Sequence, residues 1–176
     1  MDRITFQFKL FDGNWSQPLT REFFQRLDSV AVLLYDPNKD CVVLLEQFRV
    51  GAIHDERSPW LFEIVAGLID QDETPSEVAI REAKEEANCE LKQVVPIASF
   101  YLSPGAMNEK THLFFAKVDS TQLGGVFGLS EEQEDIKAHV VSREVAYQAI
   151  IEGKIDNAIS IIALQWLQLH YPNPKA

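Results

Sequence analysis

Glu82, Glu85 and Glu86 fall at positions i, i+3 and i+4 of a segment that reads as a helix from about residue 75 to about residue 87. That spacing puts three carboxylates on one face, with Cβ atoms about 5–6 Å apart. Like charges this close destabilise an isolated helix, and the cost is tolerated when a cation occupies the face. Carboxylate clusters suit oxygen-preferring divalent ions, Mg²⁺ or Mn²⁺. The alternative is a solvated acidic face partly balanced by Arg81 and Lys84. A second cluster, Glu131, Glu132, Glu134 and Asp135, lies in the run GLSEEQEDI at 128–136. A base on such a loop could close over a substrate, order a water and release product. Solvation is the ordinary explanation. Arg49 could pair with a phosphate through a bidentate guanidinium contact, or form a rim ion pair. Glu63, inside the apolar run FEIV, would face a ligand or a subunit neighbour, or be a buried, paired structural carboxylate.

The chain of 176 residues carries 16 Lys+Arg and 27 Asp+Glu, a formal net charge of −11. Its length suits about one domain, large enough to fold without a disulfide or metal staple. The acid excess argues against nucleic-acid or anionic-membrane partners, since both need a basic surface. It leaves room for a small phosphate-bearing ligand if metal ions sit between the charges. Cys41 and Cys89 lie in apolar contexts without a metal-ligand spacing, so two buried reduced thiols are expected. The first residues do not read as a signal peptide, and no apolar run approaches the ~20 residues that span a bilayer. A cytoplasmic protein is the expectation.

The elements that must position these residues follow from patterning. Ile4, Phe6, Phe8 and Leu10 alternate with polar residues, and the turn Asp12-Gly13-Asn14 leads back toward Trp15, so residues 1–28 form an N-terminal β-hairpin region. Residues 29–35 and 41–47 read as a second hairpin covered on both faces. Residues 60–66 form one strand ended by Gly67. Thr74, Pro75 and Glu77 start the glutamate helix with a capping box. Further strands are expected at 94–102, 111–118 and 135–141. Helices are expected at 142–152, with Val145 and Ile150 on one face, and at 156–170, with Ile159, Ile162, Trp166 and Leu169 as its stripe. The order implies an α/β layered fold with a mixed sheet over residues 29–176.

Read outward from the glutamates, the pattern is Gly67, five residues, Glu73, seven residues, then Arg81, Glu82, Ala83, Lys84, Glu85 and Glu86. This resembles the Nudix box, Gly-x5-Glu-x7-Arg-Glu-U-x-Glu-Glu-x-Gly-U, where U is bulky and apolar. Ala83 is smaller than usual, and Asn88 stands where the box has its final Gly. Asn is the next best residue for a left-handed helix cap. The resemblance implies a Nudix fold, with a mixed β-sheet sandwiched between helices, and Mg²⁺-dependent hydrolysis of a nucleoside diphosphate linked to another group. It implies that Glu82 and Glu86 ligate metal with Glu85 in support, that the Ala66 carbonyl is a further ligand, and that Gly67 admits the loop backbone close to the metals. Glu73 and Arg81 would form a structural ion pair.

Pro104 lies fifteen residues after Cys89, a mark of the ADP-ribose pyrophosphatase branch. Similarity to the bacterial members of that branch extends through EQFR (46–49), FEIVAG (62–67), SPG (103–105) followed by Glu109, HVVSRE (139–144) and the tail at 152–170. It implies Glu132 as catalytic base, Glu134 as a further metal ligand, and Arg49, Glu63, Gly67, Pro104, Gly105 and Glu109 around the substrate. It also implies a homodimer. The bacterial relatives usually carry a longer N-terminal segment that exchanges between subunits and stacks on adenine, and those contacts are not carried over to this chain. The expected reaction is hydrolysis of ADP-ribose to AMP and ribose 5-phosphate. The alternatives are GDP-mannose or another nucleotide sugar as substrate, and an inactive Nudix-fold ligand sensor.

Overall fold

The computed structural model describes residues 1–70, 72–129 and 133–171. Its elements are strands β1 (Asp2–Phe6), β2 (Leu19–Phe23), β3 (Ser29–Asp36), β4 (Cys41–Phe48), β5 (Trp60–Glu63) and β6 (Val65–Leu68), then helix α1 (Pro75–Ala87). Strands β7 (Val95–Tyr101), β8 (Lys110–Lys117), β9 (Gly125–Phe127) and β10 (Ile136–Ser142) follow, and helices α2 (Arg143–Ile151) and α3 (Ala158–His170) come last. The main sheet runs β7-β8-β3-β4-β10-β9, with β6 on β3 and β5 on β4. β3 and β8 are parallel, and the other pairs are antiparallel.

Strand β3 shows why this is a three-layer fold. Its residues are buried on both faces, as expected of a central strand next to a parallel neighbour. Val30, Val32 and Leu34 join one core with Val78, Ala79, Ala83 and Ala87 of α1. Ala31, Leu33 and Tyr35 join the other with Ala146 of α2 and Ala163, Leu164 and Leu167 of α3. The sheet is therefore sandwiched between α1 and the α2–α3 pair.

Several expectations are corrected. The 29–47 hairpin is closed only at its turn, where Tyr35 pairs with Val42 and Asp36 with Cys41. Beyond that the strands part, and β6 and β5 fill the space between them. The run 60–66 is accordingly two short strands with Ile64 between them, one on β4 and one on β3. Ile64 N–H bonds to Ser160 Oγ at 3.1 Å instead of to a strand. The first strand ends at Phe6 and is exposed along its length, because its partner β2 covers one edge and no helix among the described residues covers its face. The segment with Trp15 does return, through the Lys9–Trp15 bridge and Ser16 N–H on Phe8 C=O at 2.9 Å, but outside any strand. Cys41 is half-buried at the end of β4, while Cys89 is buried. Val145 and Leu169 are exposed, and the buried positions of α2 and α3 are Arg143 and Ala146, and Ser160, Ala163, Leu164 and Leu167. An almost wholly apolar helix such as α3 carries too little contrast for periodicity to choose its inward face.

Candidate active site

Helix α1 begins as its sequence dictates. Thr74 N–H donates to Glu77 Oε2 at 2.8 Å, Glu77 N–H donates to Thr74 Oγ at 3.4 Å, and Pro75 holds the first helical position. It ends at Asn88, whose left-handed φ of 48° takes the place of the usual Gly. Cys89 N–H closes onto Ala83 C=O at 2.9 Å. Lys84 Nζ donates to Asn88 Oδ1 at 2.8 Å and fixes that cap. The buried face of α1 packs on β6, so the glutamates emerge beside the strand that carries Ala66 and Gly67.

Glu86 is 3% exposed and accepts a hydrogen bond from Ala66 N–H at 3.0 Å. Burial pushes its carboxyl well above the ordinary range, and Glu82 and Glu134 push it further. Glu82 is raised from 4.5 to about 7, first by burial and then by Glu85 and Glu134, although Arg81 opposes the shift. Glu82 also explains Gly67. A Cβ built there would lie 1.9 Å from Glu82 Oε1, so any side chain would displace the carboxylate.

Arg81 does more than the ion pair expected of it. Its Nε donates to Glu73 Oε2 at 3.1 Å, and its Nη1 reaches Glu82 Oε1 at 2.9 Å and Glu85 Oε2 at 3.0 Å. One guanidinium thus ties the loop to the helix and restrains two of the three glutamates. Glu134 approaches from the segment before β10. Its N–H bonds to Leu129 C=O at 3.2 Å, and Gly128, at φ 105°, lies against its Cβ. Glu132 lies outside the described residues.

Arg49 and Glu63 pair with each other. Both Nε and Nη2 of Arg49 donate to Glu63 Oε2, at 2.9 and 2.6 Å. Burial works against the Arg49 charge, but Glu63, Glu86 and Glu134 together hold its pKa above the usual value. Both residues line an open cleft of about 830 Å³ that also takes in Ala66, Gly67 and Glu109. Glu109 is buried and accepts from Arg26 Nε at 2.8 Å. Pro104 and Gly105 are exposed in the turn Ser103–Ala106. Among the described residues it is Leu102 and Met107, flanking that turn, that reach the cleft.

Sequence reasoning missed Arg26, His54, Asp55, Asp156 and Asn157 in the cleft wall. Only Asn157 carried a local signal, as the cap whose Oδ1 accepts from Ser160 N–H at 3.0 Å. The loop after Arg49 is brought to the α2–α3 connection by Arg57, whose Nη2 donates to Asp156 Oδ2 at 2.7 Å.

Glu82, Glu86, Glu134 and the Ala66 carbonyl would offer oxygen donors only, the ligand chemistry of a hard divalent cation. As placed, no three acidic, His or Cys side chains among the described residues are gathered tightly enough to hold an ion. Glu82 is instead turned onto Arg81. Glu82 and Glu86 fit a cation chemically, because a positive charge at this point would offset the burial that raises their pKa values.

The NUDIX domain family model matches residues 25–161. The ADP-ribose pyrophosphatase of Haemophilus influenzae is 49% identical over 174 residues, covering 97% of this chain and 80% of that protein. The ADP-ribose pyrophosphatase of Escherichia coli K12 is 48% identical over 171 residues, covering 97% and 82%. The GDP-mannose pyrophosphatase of Escherichia coli O1:K1 is 35% identical over 173 residues, covering 97% and 88%.

Proposed function

The chain belongs to the NUDIX family, and we propose that it hydrolyses ADP-ribose to AMP and ribose 5-phosphate with Mg²⁺ as its metal, Mn²⁺ being able to substitute. Water adds to one phosphorus, and the bridging oxygen leaves with the other. The observation that carries this reading is the buried Glu86 and half-buried Glu82 meeting, at Ala66 and Gly67, a cleft that also holds Arg49. The relatives near 48% identity that cleave ADP-ribose support this substrate over GDP-mannose, whose pyrophosphatase is 35% identical. A ligand sensor is disfavoured because every carboxylate of the box is in place.

In this reading Glu82, Glu86 and Glu134 hold the metal, with Glu85 in support and the Ala66 carbonyl as a further ligand. A bound Mg²⁺ offsets the diphosphate charge and lowers the pKa of a water. Arg49 turns donors from Glu63 toward a phosphate, and Glu63 keeps it oriented in the meantime. Glu132 takes the proton of the attacking water, and Glu109 contacts substrate from the opposite wall. Pro104 and Gly105 shape the turn that carries Leu102 and Met107. Residues 29–176 are the hydrolase domain, and residues 1–28 are a hairpin region whose exposed Ile4, Phe6, Phe8 and Trp15 are covered by a second copy in a homodimer. No helix among the described residues is long and apolar enough to cross a membrane. We assign the enzyme to the cytoplasm, with no nucleic-acid or membrane partner.

The test is phosphate release, after phosphatase treatment, across ADP-ribose, GDP-mannose and other nucleotide sugars, with and without Mg²⁺. Mg²⁺-dependent turnover with the highest kcat/KM on ADP-ribose is expected. A preference for GDP-mannose would overturn the substrate assignment. Glu132→Gln should lower kcat about a hundredfold or more, and a loss of only twofold would move the base elsewhere.

A further inference from the structure

Gln47 of β4 is 8% exposed, and its Oε1 is buried with no hydrogen-bond donor reaching it among the described residues. A buried acceptor left bare is costly, and such groups are usually met by protein or by ordered water. Strand alternation fixes where it points. Val43 and Leu45 face the core beneath α1, so Gln47 faces the same side. Ile136, directly opposite on β10, belongs to that core too. Two residues further on, roughly 7 Å along the extended chain, Arg49 is bonded to Glu63 and lies within electrostatic reach of Glu86 and Glu134. Glu134 itself enters two residues before Ile136. Gln47 therefore lies one step inward of Arg49 on the floor of the hydrolytic site.

We infer that Gln47 is a positioning residue of that site: its Oε1 anchors a water molecule on the floor beneath Arg49. An amide oxygen only accepts, so its partner must donate. The carboxylates of the site also only accept, and no N–H or O–H among the described residues reaches Oε1. A water satisfies both sides, giving one hydrogen to Gln47 and the other to the acidic side. It holds the floor in register while the groups above it bind and release substrate. The inference rests on the hydrolase reading above, and the experiment separates the two.

The variants are Gln47→Met, similar in length and unable to accept strongly, and Gln47→Asn, which keeps the oxygen but withdraws it by one methylene. Gln47→Met is expected to melt, metal-free, at or near the wild-type temperature, because the amide and the water it holds are replaced together by an apolar side chain of similar length. Its kcat on ADP-ribose should fall about tenfold or more with KM within about threefold. Gln47→Asn should lie between the two. A crystal structure of the metal-free wild type should place an ordered water within about 3.2 Å of Oε1. A kcat within twofold of wild type in Gln47→Met, or an Oε1 still bare in that structure, overturns the inference. So does a drop in melting temperature in both variants that tracks the drop in kcat, which marks a purely structural side chain. If the wild type hydrolyses no nucleotide sugar, the hydrolase reading fails, and the crystallographic water alone decides whether Gln47 anchors one.

Discussion

Replacing Glu82 by Gln should stabilise the metal-free protein above neutral pH while removing its response to metal. In the folded chain the Glu82 carboxyl is raised from 4.5 to about 7, chiefly by burial. At roughly 1.4 kcal/mol per pH unit of displacement, full ionisation costs the fold on the order of 3 kcal/mol. The sign follows from the folded value lying above the unfolded one. The contribution of this group is fully present below about pH 4.5 and is lost as pH rises through about 7. Gln carries no such charge, and its amide oxygen can still accept from Arg81 Nη1, which stands 2.9 Å from Glu82 Oε1. The assay is the melting temperature from pH 5 to 8 in the presence of a chelator. The wild type should lose stability across this range, and Glu82→Gln should lose less. At pH 8 the variant should melt higher by about 6–12 °C, taking 2–4 °C per kcal/mol for a chain of this size. Glu86 is displaced in the same direction, so some slope should survive in the variant. Adding Mg²⁺ at pH 8 should raise the wild-type melting temperature, by about 2.7 kcal/mol of stability at a hundredfold excess over Kd. The variant should lose most of that rise. Parallel pH profiles for the two proteins, or a variant that melts no higher at pH 8, would refute the burial argument.

Three other expectations can be checked alongside. Gly67→Ala places a Cβ 1.9 Å from Glu82 Oε1, so kcat should fall about tenfold or more with the fold intact by circular dichroism. Unchanged turnover would show that the carboxylate moves without consequence. Ser160→Ala strands the buried Ile64 N–H, now bonded to Ser160 Oγ at 3.1 Å. It should cost about 1–3 kcal/mol in chemical denaturation, whereas a neutral result would mean another acceptor takes over. Asp36 is lowered from 3.8 to about 2 by the Ser120 hydroxyl and N–H, then by the backbone of Asn38 and Lys39. Its contribution is present above about pH 3.8 and is lost as pH falls through about 2. Asp36→Asn should therefore be less stable than wild type at pH 6, with the gap narrowing toward pH 2. A constant gap would contradict the assignment.

Local chemistry explains which parts were legible in the sequence. The glutamate helix was readable from Thr74 to Asn88 because caps, proline and spacing act within a few residues. The Glu73–Arg81 pair was expected only from the resemblance, and it forms, with Arg81 Nε on Glu73 Oε2 at 3.1 Å. The break at Ile64 was not. The run 60–66 is continuous in hydropathy, and its division depends on β3 and β4 parting far away in the chain. Val145 and Leu169, on the apolar faces read for α2 and α3, are exposed, since tertiary packing settles which apolar residue is covered when most of the surface is apolar. Cys41 looked buried from its neighbours, yet it sits at the strand end beside a turn.

The same division runs through the site. Residue types and spacing by themselves determined that Glu82, Glu85 and Glu86 share a face, while the box interval to Gly67 and Glu73, and the metal-holding role it implies, came from the resemblance. Helical geometry enforces the first of these in any context. Only the tertiary structure decided that Glu86 is buried against Ala66 N–H, that Arg81 holds three glutamates, and that Arg49 rests on Glu63. Only it decided that Arg26 and Asp156 share one cleft. Pairs such as Arg26 with Glu109 or Arg57 with Asp156 are brought together by the crossing of strands and the docking of α3. No periodicity within a segment encodes the distance between elements that meet only when the sheet closes.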